Sequence, residues 1–77
     1  MGTTDYFDLR TAERRITMDH VNAALSNEIC REVQSDGRTR IWGWVEDLDQ
    51  CLRIIVDPDG RTLVNAFPDR KCTKEHT

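Results

Sequence analysis

No apolar run in this chain approaches the roughly 18 residues that would span a bilayer, so neither a transmembrane helix nor a membrane partner is expected. Met1 to Asp8 is polar and acidic where a secretion signal is basic and then apolar, which makes the cytoplasm the expected compartment. The three cysteines, Cys30, Cys51 and Cys72, form no C-x-x-C pair and have no paired histidines beside them, so no metal site or disulfide framework is signalled. They are expected to be reduced structural thiols, with strand parity putting Cys30 and Cys51 on opposite faces. There is no internal repeat, low-complexity tract, glycine-rich phosphate loop, nucleophile elbow or H-E-x-x-H pattern, and hence no cofactor signal. Positive charge is also in deficit. At a formal −3 the chain is not expected to bind DNA, and an RNA reading needs a local basic patch, because phosphate binding wants cations.

The 77 residues, 1–77, suffice for one domain, with an ordered core expected over about 5–69. A core of this size gives modest stability, so partner binding would be a natural supplement. With 38% hydrophobic and 32% charged residues, the composition suits a water-soluble globular fold.

The organising stretch is Arg38 to Phe67, which reads as three strands joined by two short turns. Asp57-Pro58-Asp59-Gly60 predicts a hairpin with a three-residue loop, so that Val56 faces Thr62, Ile54 faces Val64 and Arg53 faces Asn65. A four-residue connection from Asp47 to Gln50 pairs Val45 with Leu52, Trp44 with Arg53 and Trp42 with Ile55. One face then carries Ile41, Gly43, Val45, Leu52, Ile54, Val56, Val64 and Ala66. The other carries Arg40, Trp42, Trp44, Arg53, Ile55, Leu63, Asn65 and Phe67. Arginine is rarely buried without a partner, so the uncharged face is the expected core and the mixed face is left for solvent or a partner.

Upstream, Asp5 is read as the N-cap of a helix to about Arg14, with Tyr6, Leu9 and Ala12 on one stripe and Phe7, Arg10 and Arg14 on another. Thr17 caps a second helix whose Met18, Val21 and Leu25 repeat at helical spacing until Ser26-Asn27 stops it. Its short length means that it must lay that stripe on the sheet to be stable. His20 is expected to face solvent. Glu28 to Ser35 is the first long strand, and Asp36-Gly37 reads as a two-residue type I′ turn. That turn pairs Ile29, Arg31 and Val33 with Trp44, Trp42 and Arg40 on the mixed face. After Phe67 the chain leaves the sheet, and Cys72 to Thr77 is expected to fray. The fold class is α+β, two N-terminal helices on one face of a four-stranded antiparallel meander.

The order of a helix, an Arg14-Arg15-Ile16-Thr17 joint, a second helix and a meander ending in Leu63-Val64-Asn65-Ala66-Phe67-Pro68 resembles a small bacterial domain family of unassigned function. That family is grouped with the RelE-like and BrnT-like mRNA-cleaving toxins of toxin–antitoxin pairs. Arg10 stands where the family tends to have an arginine. Arg15 stands in place of a glycine, and Tyr6 near a histidine that often opens the first helix. The resemblance implies a metal-independent endoribonuclease, or an inactive relative, held by an antitoxin protein.

Such cleavage needs a base for the 2′-hydroxyl, cations for the in-line phosphate and surfaces for stacking bases. Arg40 and Arg53 are the candidates for phosphate neutralisation, and Trp42 and Trp44 for stacking. Arg10, Arg31, Asn65 and Phe67 are further RNA- or partner-binding candidates. Tyr6 and His20 are the candidate bases. The alternative is a non-enzymatic module in which Trp42, Trp44, Ile55, Leu63 and Phe67 bind an antitoxin-like helix or a second copy of the chain, giving a homodimer. A third reading inverts the parity and makes the tryptophan face the core.

Overall fold

The computed structural model describes residues 2–76. The elements are β1 (Gly2–Thr3), α1 (Asp5–Arg14), α2 (Met18–Ser26), β2 (Glu28–Val33), β3 (Thr39–Val45), a 3₁₀ turn (Glu46–Leu48), β4 (Gln50–Val56), β5 (Thr62–Pro68) and α3 (Arg70–His76). The fold is α+β, as the sequence indicates, but the sheet has five strands in the order β1-β5-β4-β3-β2. The four long strands form the antiparallel meander. The short β1 joins β5 in parallel and makes the sheet mixed. Among the described residues no helix is long and apolar enough to cross a membrane.

Two threonines start the N-terminal helices. Thr4 accepts from the Phe7 amide, so the cap of α1 lies one residue before the expected Asp5, which instead places its charge in the first turn. Thr17 accepts from the His20 amide while His20 Nδ1 accepts from the Thr17 amide, a reciprocal capping box. Arg15 ends α1 in the left-handed region at φ 58°, a conformation that suits glycine better than arginine.

Turn chemistry sets the registers and corrects two of them. Around Asp36-Gly37 the Gly37 amide donates to the Gln34 carbonyl and the Gln34 amide to the Arg38 carbonyl, which makes a three-residue loop with Gly37 at φ 86°. The extra loop residue slips β2 by one position and flips its faces. Cys30 therefore pairs with Trp42, Arg31 with Ile41 and Glu32 with Arg40. Arg31 leaves the mixed face, where its expected register would have put it, and binds Glu28 instead. Cys30 and Cys51, pairing with Trp42 and Trp44, share a face rather than opposing each other.

At the second hairpin the Asp57 amide reaches the Thr62 carbonyl, so the loop runs from Pro58 to Arg61. Val56 then faces Leu63, and a bulge between Ile55 and Val56 restores the parity beyond it. Leu63 is consequently fully buried and Val64 is half-buried, the reverse of the expected assignment. Between β3 and β4 the register differs by two residues, with Trp42 opposite Arg53 and Trp44 opposite Cys51. An even shift leaves the faces unchanged.

The core unites Ile41, Val45, Leu52, Ile54, Val56, Leu63 and Ala66 from the sheet with Phe7, Ile16, Val21 and Ala24 from the helical layer. The parity choice that buries the uncharged face therefore holds. Phe7 and Thr11 face inward, while Tyr6 and Leu9 are exposed. The Thr11 hydroxyl satisfies itself by donating to the Phe7 carbonyl at 2.8 Å. Gly43 lets α2 lie close to β3, because a Cβ built there would fall 1.9 Å from the Ala24 carbonyl oxygen. The Trp44 amide also donates to the Asn27 carbonyl at 3.1 Å, tying the end of α2 to β3.

Candidate functional site

The sheet face away from α1 and α2 carries two adjoining hollows that share Arg40 and Arg53. The first is a groove of about 640 Å³ lined by Tyr6, Arg38, Arg40, Arg53, Asn65 and Phe67, among others. Strand alternation aims Arg40, Arg53 and Phe67 outward from β3, β4 and β5. Tyr6 reaches the groove from α1. Its cations are already partnered. Arg38 Nε lies 3.8 Å from Asp57 and Arg40 Nη1 lies 3.7 Å from Glu32. With the Gln34 amide oriented to accept, its oxygen also meets Arg40 Nε at 2.8 Å and an Nη at 2.6 Å. Pairs this long at a wet surface are weak, so a phosphate can compete for both guanidinium groups.

The Phe67 ring lies within cation–π range of two guanidinium groups, Arg53 at 4.8 Å and Arg14 at 5.5 Å. Arg14 is a cross-brace between α1 and β5, donating to Asn65 Oδ1 at 2.8 Å and the Ala66 carbonyl at 3.1 Å.

The second hollow, about 490 Å³, lies beside α3 and is lined by Trp42, Cys30 and Cys72 as well as the shared arginines. Residues 72–76 of the segment expected to fray instead belong to a helix packed on β4 and capped by Asp69, and Thr77 lies outside the described residues. Asp69 is a buried hub. One carboxylate oxygen accepts from the Cys72 amide at 2.9 Å. The other accepts from Trp42 Nε1 at 3.0 Å and from Arg53 Nε and Nη2 at 3.1 and 2.9 Å. Burial alone would raise this carboxyl, but the amide, indole and guanidinium donors together hold it below the ordinary aspartate value.

Thr73 adds a second tie, its hydroxyl accepting from the Cys51 amide at 2.9 Å. Cys51 and Cys72 are joined by a disulfide across a Cα separation of 5.8 Å, near the most common value. This corrects the expectation of three reduced thiols. A cysteine 21 positions downstream returns to β4 only because α3 folds back, and Cys30 is left as the free, exposed cysteine.

The structure thus brings together Tyr6, Arg40, Arg53, Asn65 and Phe67 in one groove, keeps Trp42 and Trp44 on the same sheet face but outside that groove, with Arg53 5.7 Å over the Trp42 ring, and places the other candidates elsewhere. Trp42 is held by Asp69 beside α3. Trp44 donates to Glu46 at 2.6 Å and has the His76 ring 4.6 Å from its own. Arg10 lies at the margin, 5.8 Å over Tyr6 and paired with Glu13 at 3.2 Å. Arg31 lines a different hollow with Leu25 and Ile41 on the helix side of the sheet. His20 is engaged in the cap of α2. Leu63, placed in the binding patch on sequence grounds, belongs to the core.

Sequence reasoning did not find Arg38 or Asp69. From the sequence Arg38 is only the first residue of the strand that follows the Asp36-Gly37 turn. Asp69 carries a recognisable signal, since it sits just after Pro68 and three residues before Cys72, as an N-cap would. Among the described residues no cluster of three or more His, Cys, Asp or Glu side chains could hold a metal. Comparison of the chain with family models, with curated proteins and with solved structures finds no match.

Proposed function

We propose that the chain binds single-stranded RNA in the groove of Tyr6, Arg38, Arg40, Arg53, Asn65 and Phe67, on a scaffold of the RelE-like and BrnT-like type. The observation that carries the reading is the convergence of three arginines and two aromatic rings in one open groove, although the whole chain is acidic. Aromatic faces stack unpaired bases without regard to sequence, and arginines neutralise the phosphates between them. Arg15 lends support to the resemblance. It adopts the left-handed conformation natural to the glycine that the family has in its joint.

Cleavage would need a base at the groove. Tyr6 lines it, whereas His20 serves the cap of α2 and His76 lies against Trp44. Binding is therefore the activity assigned, as for an inactive relative of the toxins. Arg38 and Arg40, whose long pairs a phosphate can displace, imply a salt slope of about −1.4 in log K against log [salt] for a single strand, the charge of Arg53 being met by Asp69. Anisotropy of a labelled oligopyrimidine RNA across a salt series measures it. The Arg38→Ala/Arg40→Ala pair should flatten the slope by about 1.4. No binding at low salt, or binding that ignores salt, would overturn the reading.

One observation favours a protein partner as a second reading. β2 is an edge strand whose six residues are all exposed, Val33 at 69% and Ile29 at 41%, so its free backbone groups can accept an added strand from an antitoxin or a second copy. Sedimentation of the chain alone at high concentration discriminates self-pairing from a monomer that awaits another protein.

A further inference from the structure

We infer that α3 is a redox-latched cover over the tryptophan side of the sheet, and that opening it lengthens the RNA groove proposed above. The inference rests on that reading for its ligand but not for its mechanism. α3 has seven residues and buries none of them, so neither intrinsic helix stability nor an apolar face holds it down. Among the described residues its ties include the Cys51–Cys72 disulfide, the Asp69 hub, the Asp69 amide on the Cys51 carbonyl, the Thr73 hydroxyl and the His76 ring on Trp44. The disulfide is the covalent cross-link among them.

Its two sulfurs are not equally open. Cys51 is fully buried, whereas Cys72 is half-buried and lines the hollow that also holds Cys30. A dithiol reductant entering that hollow therefore attacks Sγ of Cys72. The Cys51–Cys72 bond breaks as a mixed disulfide forms on Cys72, and Cys51 leaves as a thiolate that takes up a proton. The second thiol of the reductant then displaces Cys72 and carries away the oxidised pair, so that two electrons have passed to the protein. Structural disulfides are uncommon where thiols are kept reduced, and those that do occur there are usually catalytic or redox-sensing.

Opening matters because the two hollows already share Arg40 and Arg53. With α3 in place, Lys71, Cys72, Glu75 and His76 wall the hollow at Trp42 and the His76 ring lies against Trp44, whereas Asp69 and Glu46 hold only the indole N–H edges. With α3 released, Trp42 and Trp44 continue the row begun by Tyr6 and Phe67. Two more stacking surfaces beside existing phosphate sites should tighten RNA binding by at least about tenfold.

The test compares oxidised chain, chain in dithiothreitol, and the Cys51→Ser/Cys72→Ser variant, all in a Cys30→Ser background so that only one thiol pair is present. Hydrogen exchange of residues 70–76 and acrylamide quenching of the tryptophans are read without RNA, and oligopyrimidine RNA affinity is read separately. The expected result is exchange in α3 faster by up to about 100-fold once the loop constraint is gone. Quenching should rise, while the Leu52 and Ile54 amides keep their protection. Unchanged exchange in α3, or loss of protection at Leu52 and Ile54 together with α3, would overturn the latch and make the disulfide a plain staple. Release of α3 with unchanged affinity for a bound RNA would overturn its control of the groove. Release of α3 with no RNA binding in any state upholds the latch and counts against the RNA reading instead.

Discussion

Replacing Gly43 with alanine should unseat α2 from the sheet. The added methyl would sit 1.9 Å from the Ala24 carbonyl oxygen, 2.5 Å from its carbonyl carbon and 2.8 Å from its Cα, all backbone atoms that no rotamer change can move. Reaching an ordinary contact of about 3.4 Å requires α2 and β3 to part by about 1.5 Å. Overpacking alone typically costs about 1–3 kcal/mol. The separation also opens a gap beneath Val21 and Ala24, both fully buried, and a gap of ~0.5–1 Å already forfeits a quarter to a half of the dispersion well. Half of a valine's burial contribution, with the smaller share of Ala24, adds about 1–2 kcal/mol.

The expected loss is therefore about 2–5 kcal/mol, against a total of roughly 4–12 kcal/mol for a domain of 77 residues. Urea unfolding followed by tryptophan fluorescence is a direct assay, because Trp42 and Trp44 flank the site. Gly2→Ala, where no atom lies within 4 Å, is the control and should stay within about 0.5 kcal/mol. A loss below about 1 kcal/mol for Gly43→Ala would refute the close approach of α2 to β3.

Leu63→Ala should cost about 2–5 kcal/mol and its neighbour Val64→Ala less than about 1, and equal losses in urea titration would mean that the bulge in β5 is misplaced. Arg15→Gly should stabilise the domain by about 0.5–1 kcal/mol, by relieving a left-handed residue, with thermal melting as the readout. The Cys51→Ser/Cys72→Ser pair should leave the main calorimetric transition within about 1 kcal/mol, because it frees α3 alone, and a drop near the ~3 kcal/mol expected for a staple closing a loop of 21 residues would refute the latch. Because the native Asp69 carboxyl titrates below its unfolded value of about 3.9, its contribution is complete above about pH 4 and is lost as pH falls through the lowered native value. In reduced protein, exchange of the α3 amides should therefore accelerate in that acid window, and Asp69→Asn should abolish the pH step.

The sequence by itself determined the helix starts at Thr17 and near Asp5, the long antiparallel strands, and the choice of Ile41, Val45, Leu52, Ile54 and Val56 as core. These are local facts, set by capping chemistry, alternation and the rule that unpaired arginines stay out. It also marked Arg40, Arg53, Asn65 and Phe67 as one face, because errors of two residues in register leave faces unchanged. Only the tertiary structure decided the rest. A single extra loop residue, Ser35, and another, Arg61, offset by a bulge, moved Arg31, Cys30, Leu63 and Val64 across the sheet, since turns of nearly equal local energy give opposite parities. The inward stripe of α1 was likewise a choice between two plausible stripes, settled when Phe7 found the core. α3 was out of reach for another reason. Seven residues, six of them polar, have no helical stability of their own, and they are ordered by distant partners, Asp69 on Trp42 and Arg53 and Cys72 on Cys51, whose nearness exists only after the meander has formed.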